Sequence, residues 1–230
     1  SGIAASAPDP AAITDAMLAA HDAGIPTVTM NSGSAVFKDL GAFTHVGQDE
    51  IVAGREAGLR FNELGATKVL CPIQEAANSG LTDRCKGLAE TFEGDTVDFN
   101  LDGGLADLAG SAAKLQAALE ADPAIDGIFA LNADIATGAA LVASDATGRN
   151  AIIGTVDMSA DALTAIKDGK MAFAIDQQQY AQGYMSVVVL YLALTNAHEL
   201  GGGLPVYTGP GFVTSDNVEA IMGYVEAGTR

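Results

Sequence analysis

Seven polar side chains, Asn31, Ser32, Gln48, Arg84, Asn132, Asp157 and Gln177, stand where a β-rich run ends or a helix begins. Asn31 and Ser32 follow the run Ile25–Met30, Gln48 follows Thr44–Val46, and Asn132 follows Gly127–Leu131. Asp157 follows Ile152–Val156, Asp176 and Gln177 follow Ala172–Ile175, and Arg84 comes just after the loop Gln74–Gly80. Amides, carboxylates and a guanidinium converging on one cleft suit a polyhydroxylated ligand. Each hydroxyl both donates and accepts, and each planar group can engage adjacent hydroxyls. Hydrogen bonds to charged partners contribute about 1.5–3 kcal/mol each, and a site built from them rejects an analogue that leaves its buried groups unpaired. Taken singly, these positions also read as helix caps or turn formers. Ser159 is most simply a cap, and Arg84 could pair with Asp83 or Glu90 on a solvated face. Only the set as a whole points to a ligand.

Reactive chemistry has no comparable support. Gly103-Gly104 lies between a strand-like run and a helix, where phosphate loops occur. The spacing nevertheless fits neither G-x-G-x-x-G nor a Walker loop with its lysine, and no G-x-S-x-G elbow is present. Cys85 as a nucleophile would lack a histidine nearby in sequence. His21, His45 and His198 also lie far from both Cys71 and Cys85, which argues against a metal site. The chain therefore reads as a binding protein with no enzymatic activity, no cofactor and no metal. Whether Cys71 and Cys85 are bonded stays open, because the pairing depends on a Cα separation that sequence does not contain.

The elements that must hold the polar set alternate between short β-rich runs and amphipathic helical segments. Asp9 and Pro10 mark a helix start, Ile13, Met17 and Leu18 make its apolar stripe, and Gly24 ends it. The same grammar gives a helix from about Gln48 to Gly65, a strand over Lys68–Cys71, a helix from Gly80 to Gly94 and a strand over Thr96–Phe99. It continues with a helix over Leu105–Leu119, the strand Gly127–Ala130, a helix over Ala133–Ser144 and the strand Ile152–Val156. A helix capped by Ser159 and ended by Gly169, then the strand Ala172–Ile175, complete the run. Such alternation implies an α/β fold of parallel sheets with helices on both faces, and ligands bind there at the carboxyl ends of the strands. The most apolar stretch, Val187–Leu194, reads as a buried helix, and no run is long enough to span a bilayer. With 11 Lys+Arg against 29 Asp+Glu, the formal net charge is −18, which repels nucleic-acid phosphates and anionic lipid.

Several blocks resemble the type I periplasmic sugar-binding proteins of the ribose-binding kind. They are Ala7-Pro8-Asp9-Pro10, Ala23-Gly24-Ile25-Pro26, His45-Val46-Gly47-Gln48-Asp49, Asp83-Arg84-Cys85-Lys86-Gly87 and Ala130-Leu131-Asn132-Ala133-Asp134. Ala174-Ile175-Asp176-Gln177-Gln178-Gln179-Tyr180 and Thr208-Gly209-Pro210-Gly211-Phe212-Val213-Thr214 look like the branch serving simple sugars and sugar alcohols. The resemblance implies a periplasmic-binding-protein type I fold, in which two doubly wound lobes joined by a hinge clamp a small neutral sugar or polyol. Residues 1–48 with 178–207 would form the N-terminal lobe, and 49–177 with 208–230 the C-terminal lobe. Asn31 and Ser32 would come from the first lobe and Gln48 would lie near the first crossing. Arg84, Asn132 and Asp157 would come from the second lobe, and Gln177 from the hinge. Arg84 would be the principal donor to ligand oxygens, with Asp157 and Asn132 accepting from hydroxyls.

The implied function is an extracytoplasmic solute receptor of an ABC-type importer. It would be periplasmic or extracellular, lipid-anchored or soluble, with a membrane permease as partner and no nucleic acid. Two departures qualify this. Asn31-Ser32 stands where ribose binders carry Asp-Arg, which removes two charges from that wall and points to an acyclic polyol. The chain also starts at what resembles the third strand of the family. The N-terminal lobe is therefore expected to be incomplete, with an exposed edge or a second chain completing it. The effector core of a lactose-repressor-type regulator shares the fold and is the alternative; the acidic charge and the extension Thr208–Arg230 speak against it.

Overall fold

Asp9 caps the first helix by accepting from the Ala11 and Ala12 amides, and Pro10 fills its first turn, where a missing N–H costs nothing. The computed structural model describes residues 1–230. In chain order come β1 (Ile3–Ala5), α1 (Pro10–Asp22), β2 (Thr27–Met30), β3 (Thr44–Gly47), α2 (Glu50–Glu63), β4 (Lys68–Ile73) and α3 (Ser79–Thr91). They are followed by β5 (Asp95–Asn100), α4 (Leu108–Ala121), β6 (Gly127–Ala130), α5 (Ala133–Ile135), a π-helical segment Ala136–Ala140, and α6 (Leu141–Ala146). The chain ends with β7 (Ile152–Val156), α7 (Ala160–Lys167), β8 (Phe173–Asp176), α8 (Gln179–Asn196), β9 (Val206–Tyr207), β10 (Gly211–Val213) and α9 (Val218–Glu226).

Two sheets result. One is four-stranded, parallel, in the order β1-β2-β3-β9; the other is six-stranded, in the order β10-β8-β7-β6-β4-β5, with only β10 antiparallel. Alternation along β6 shows how the second sheet is covered on both sides. Ile128 and Ala130 enter one apolar cluster with Leu115, Leu119 and Leu163, while Phe129 enters another with Phe61, Leu88 and Phe173. Phe61 meets Phe129 and Phe173 edge-on at centroid distances of 6.1 and 5.3 Å. Each fully buried Leu, Ile or Phe is worth about 1.5–3 kcal/mol, so both faces of this sheet are strongly anchored.

The chain passes between the sheets three times, from β3 to α2, from β8 to α8 and from β9 to β10. These crossings are bonded side by side: the Thr208 amide donates to Gly47 O at 2.9 Å, and Thr208 Oγ1 donates to Gln177 O at 2.8 Å. A disulfide joins Cys71 on β4 to Cys85 on α3, settling what sequence left open.

One expectation is corrected. The helix containing Val187–Leu194 buries Gln182, Ser186, Val189 and Leu190 against the first sheet, but it is not buried all round. Tyr180, Tyr184, Val187, Tyr191 and Leu194 are between 49% and 67% exposed along one flank, because no element of residues 1–230 covers it. β1 is an edge strand, paired only with β2.

Candidate ligand-binding site

Three residues at the ends of strands adopt positive φ without being glycine: Asn31 (62°), Asp157 (71°) and Gln178 (60°). Asn and Asp tolerate this conformation best, and its cost persists where surrounding contacts hold the residue in place. Asn31 Nδ2 donates to Gln177 Oε1 at 3.3 Å and to Gln182 Oε1 at 3.1 Å. Gln177 Nε2 donates to Asp157 Oδ1 at 2.6 Å, and Gln179 Nε2 donates to the same oxygen. A continuous chain of side chains thus runs from the end of β2, through the crossing after β8, to the end of β7. Ser32 joins it through a long 3.4 Å bond from its Oγ to Asn31 Oδ1.

A second group forms around Arg84. Its Nε and Nη2 donate to Glu50 Oε2 and Oε1 at 2.6 and 3.1 Å, and its Nη1 donates to Leu131 O at 3.1 Å. Gln48 Nε2 donates to Glu50 Oε2 at 2.8 Å, leaving Gln48 Oε1 buried without a partner. The plainer reading of Arg84 as an ion-paired residue is right in kind, but the partner is Glu50; Glu90 pairs with Arg55 instead. Helix packing explains the meeting. A Cβ on Gly54 of α2 would collide with the Arg84 carbonyl, and one on Gly87 of α3 with the Ile51 carbonyl. Glycines at the crossing let the backbones touch, which brings Glu50 and Arg84 together within a turn of the contact.

Asn132 lies next to Leu131. Its Oδ1 accepts from the Asp134 and Ile135 amides at 2.8 and 3.4 Å as the cap of α5. Its Nδ2 amide makes no hydrogen bond within the protein. Asp157 keeps Oδ2 free of protein partners.

The electrostatics follow from burial. Burial pushes the Asp157 carboxyl up, against the pull of Arg84 and the two glutamine amides. Burial by itself would lower the Arg84 pKa, but the charge and hydrogen bonds of Glu50, with Asp157 beyond, hold the guanidinium above its ordinary value. A cavity of about 480 Å³ opens between Pro8–Asp9 and the loops carrying Gln74, Asn78, Asp102 and Leu105, and none of the seven residues lines it.

Sequence reasoning missed Glu50, Gln179, Gln182 and Thr208. Gln182 Nε2 donates to Gln177 O at 2.9 Å and to Thr208 Oγ1 at 3.2 Å, so both brace the crossing. Glu50 reads in sequence as an ordinary first-turn acid; the signal for its burial is the Gly54 and Gly87 pair.

A match to the periplasmic binding protein domain covers residues 1–198. The chain belongs to this family. It is 26% identical to the xylose/arabinose-binding protein XylF of Sulfolobus acidocaldarius, over 96% of this chain and 58% of that protein. It is 28% identical to the ribose import binding protein RbsB of Haemophilus influenzae, over 77% of this chain and 60% of that protein. The chain thus spans about three fifths of these curated relatives. The crystal structure of a carbohydrate transporter from Acidothermus cellulolyticus, in complex with myo-inositol, superimposes with a TM-score of 0.94 at 41% identity. It covers 100% of this chain, which spans 79% of that one. The two-sheet α/β architecture is that of the type I periplasmic binding fold.

Proposed function

We propose that the chain is the ligand-binding body of an extracytoplasmic solute receptor that takes a small neutral sugar or sugar alcohol between its two lobes. Lobe 1–48 with 178–207 and lobe 49–177 with 208–230 would close on it, and the closed form would be read by the membrane permease of an ABC-type importer. The observation that carries this is the hydrogen-bonded belt Asn31–Gln177–Asp157, set beside Gln48–Glu50–Arg84 where the chain crosses between sheets. Asn31, Ser32, Gln48, Arg84, Asn132, Asp157 and Gln177 are its proposed contacts. The relatives are named for sugar transport, which favours the receptor over the lactose-repressor-type regulator. The Acidothermus protein holds myo-inositol, a cyclic polyol, so a cyclitol replaces the acyclic polyol as the first candidate. The disulfide suits an oxidising periplasmic or extracellular setting. The uncovered flank of α8 and the edge of β1 support a further strand–helix unit, in the same or a second chain, seated against them.

The test is a thermal-shift screen of pentoses, hexoses and cyclic and linear polyols, repeated with Arg84→Ala. At ~100-fold excess over Kd a ligand stabilises the native state by about 2.7 kcal/mol. A shift confined to a few polyols and lost in the variant supports the receptor. No shift with any sugar or polyol, on this chain or with the further strand–helix unit in place, rejects it.

A further inference from the structure

Glu50 is a buried acid in the middle of the proposed site that itself offers a sugar very little. Both its oxygens are engaged, Oε1 by Arg84 Nη2 and Oε2 by Arg84 Nε and Gln48 Nε2. Its ion pair with Arg84 is shielded on both sides, at 7% and 6% exposure. A guanidinium has five N–H donors, and its Nε/Nη2 edge is a fork that fits a carboxylate or phosphate bidentately. Glu50 occupies that edge, and Leu131 O takes one Nη1 donor, so three of the five are spent. The surrounding charge has the same sign as Glu50. Asp157 lies close enough to act on Arg84, and the Asp83 carboxyl feels Glu50 and Asp49, with Lys86 the only further cation acting there. The two cations here, Arg84 and Lys86, are thus outnumbered by Glu50, Asp157, Asp83 and Asp49, and no positive charge is left over for an anion.

We infer that Glu50 is a specificity residue: by filling the fork of Arg84 it makes the site accept neutral polyols and reject their anionic counterparts, such as uronates, aldonates and phosphate esters. Arg84 then offers a hydroxylated ligand single hydrogen bonds and no net charge, and an incoming anion would meet a like-charge neighbour on the far side of the guanidinium. The inference rests on the receptor reading above and adds the charge class of its ligand together with the residue that sets it.

The experiment compares myo-inositol, myo-inositol 1-phosphate and inorganic phosphate as probes of the protein and of Glu50→Gln, by calorimetry and thermal melting. The unaltered protein is expected to bind the phosphate ester at least ~100-fold more weakly than myo-inositol, because like-charge juxtaposition is strongly penalised. Glu50→Gln is expected to narrow that ratio by ~10-fold or more and to melt higher in inorganic phosphate, which leaves the unaltered protein unmoved. A gain of anion binding is something a purely structural role would not produce. If Glu50→Gln does not fold in plain buffer, recovery of its melting transition by inorganic phosphate supports the inference, and no recovery overturns it. Equal affinity of the unaltered protein for polyol and phosphate ester overturns it, as does an unchanged ratio in a folded Glu50→Gln. Failure of the unaltered protein to bind any polyol, alone or with the further strand–helix unit in place, rejects the receptor reading instead, and the response of Glu50→Gln to inorganic phosphate still reports whether Glu50 blocks the fork.

Discussion

His45 carries a cost that acid brings out. It is fully buried on β3, bonded through Nδ1 to Thr29 Oγ1 at 2.9 Å, and its Nε2 has no partner. Burial lowers its pKa from 6.5 to about 4, against a weaker opposing pull from Asp49. The unfolded chain takes up a proton near pH 6.5, whereas the folded protein resists until about pH 4. Stability therefore falls as pH drops through this window, by roughly 3 kcal/mol in total. Asp157 and Asp83 act in the opposite sense, since their raised values let the folded state bind protons first and relieve their burial cost in acid. In urea titrations at pH 7 and pH 4.5, His45→Asn should lose about 2–3 kcal/mol less than the unaltered protein between the two conditions. An equal loss would place the acid sensitivity elsewhere.

Between β4 and α3 the disulfide closes the segment that carries the loop Gln74–Gly80 and Arg84, over a sequence separation of 14. A closed loop of this size contributes about 3 kcal/mol. Cys71→Ala with Cys85→Ala should lower the unfolding free energy by that order, measured by urea denaturation, and a change well under 1 kcal/mol would mean that packing alone holds α3 in place. The strands of the second sheet were readable from sequence because β-branched and apolar runs such as Ile152–Val156 end at turn-forming residues, and the caps Asp9 and Ser159 sit where their chemistry requires. β9 and β10, of two and three residues, are too short to show a period. The polar set was legible as positions after strands, since parallel topology alone puts them at one end of each sheet. Their partners were not. Asn31 meets Gln182 across 151 residues, and Glu50 meets Arg84 only because Gly54 and Gly87 let two helices touch. The exposure of Val187 and Tyr191 escaped for a related reason, because hydropathy tells that a face is apolar and not what covers it.

Taken whole, the molecule opposes a strongly acidic surface to one apolar flank on α8. Patches of this kind mark contact surfaces, and an edge strand beside one adds unpaired backbone groups. The net charge of −18 resists self-association through it. Sedimentation velocity should therefore show concentration-dependent association that strengthens with salt, and Tyr184→Glu with Val187→Glu should abolish it. A monomer at every salt and protein concentration would show that the flank is inert on its own. The three crossings have a mechanical consequence as well. Segments tied together at Gly47, Gln177 and Thr208 would serve the proposed closure as a leaf spring, compliant to bending but stiff to slip. In the proposed closure, displacement of one lobe relative to the other would thereby reduce to a single coordinate, so that one distance monitored across the gap would gauge the entire excursion.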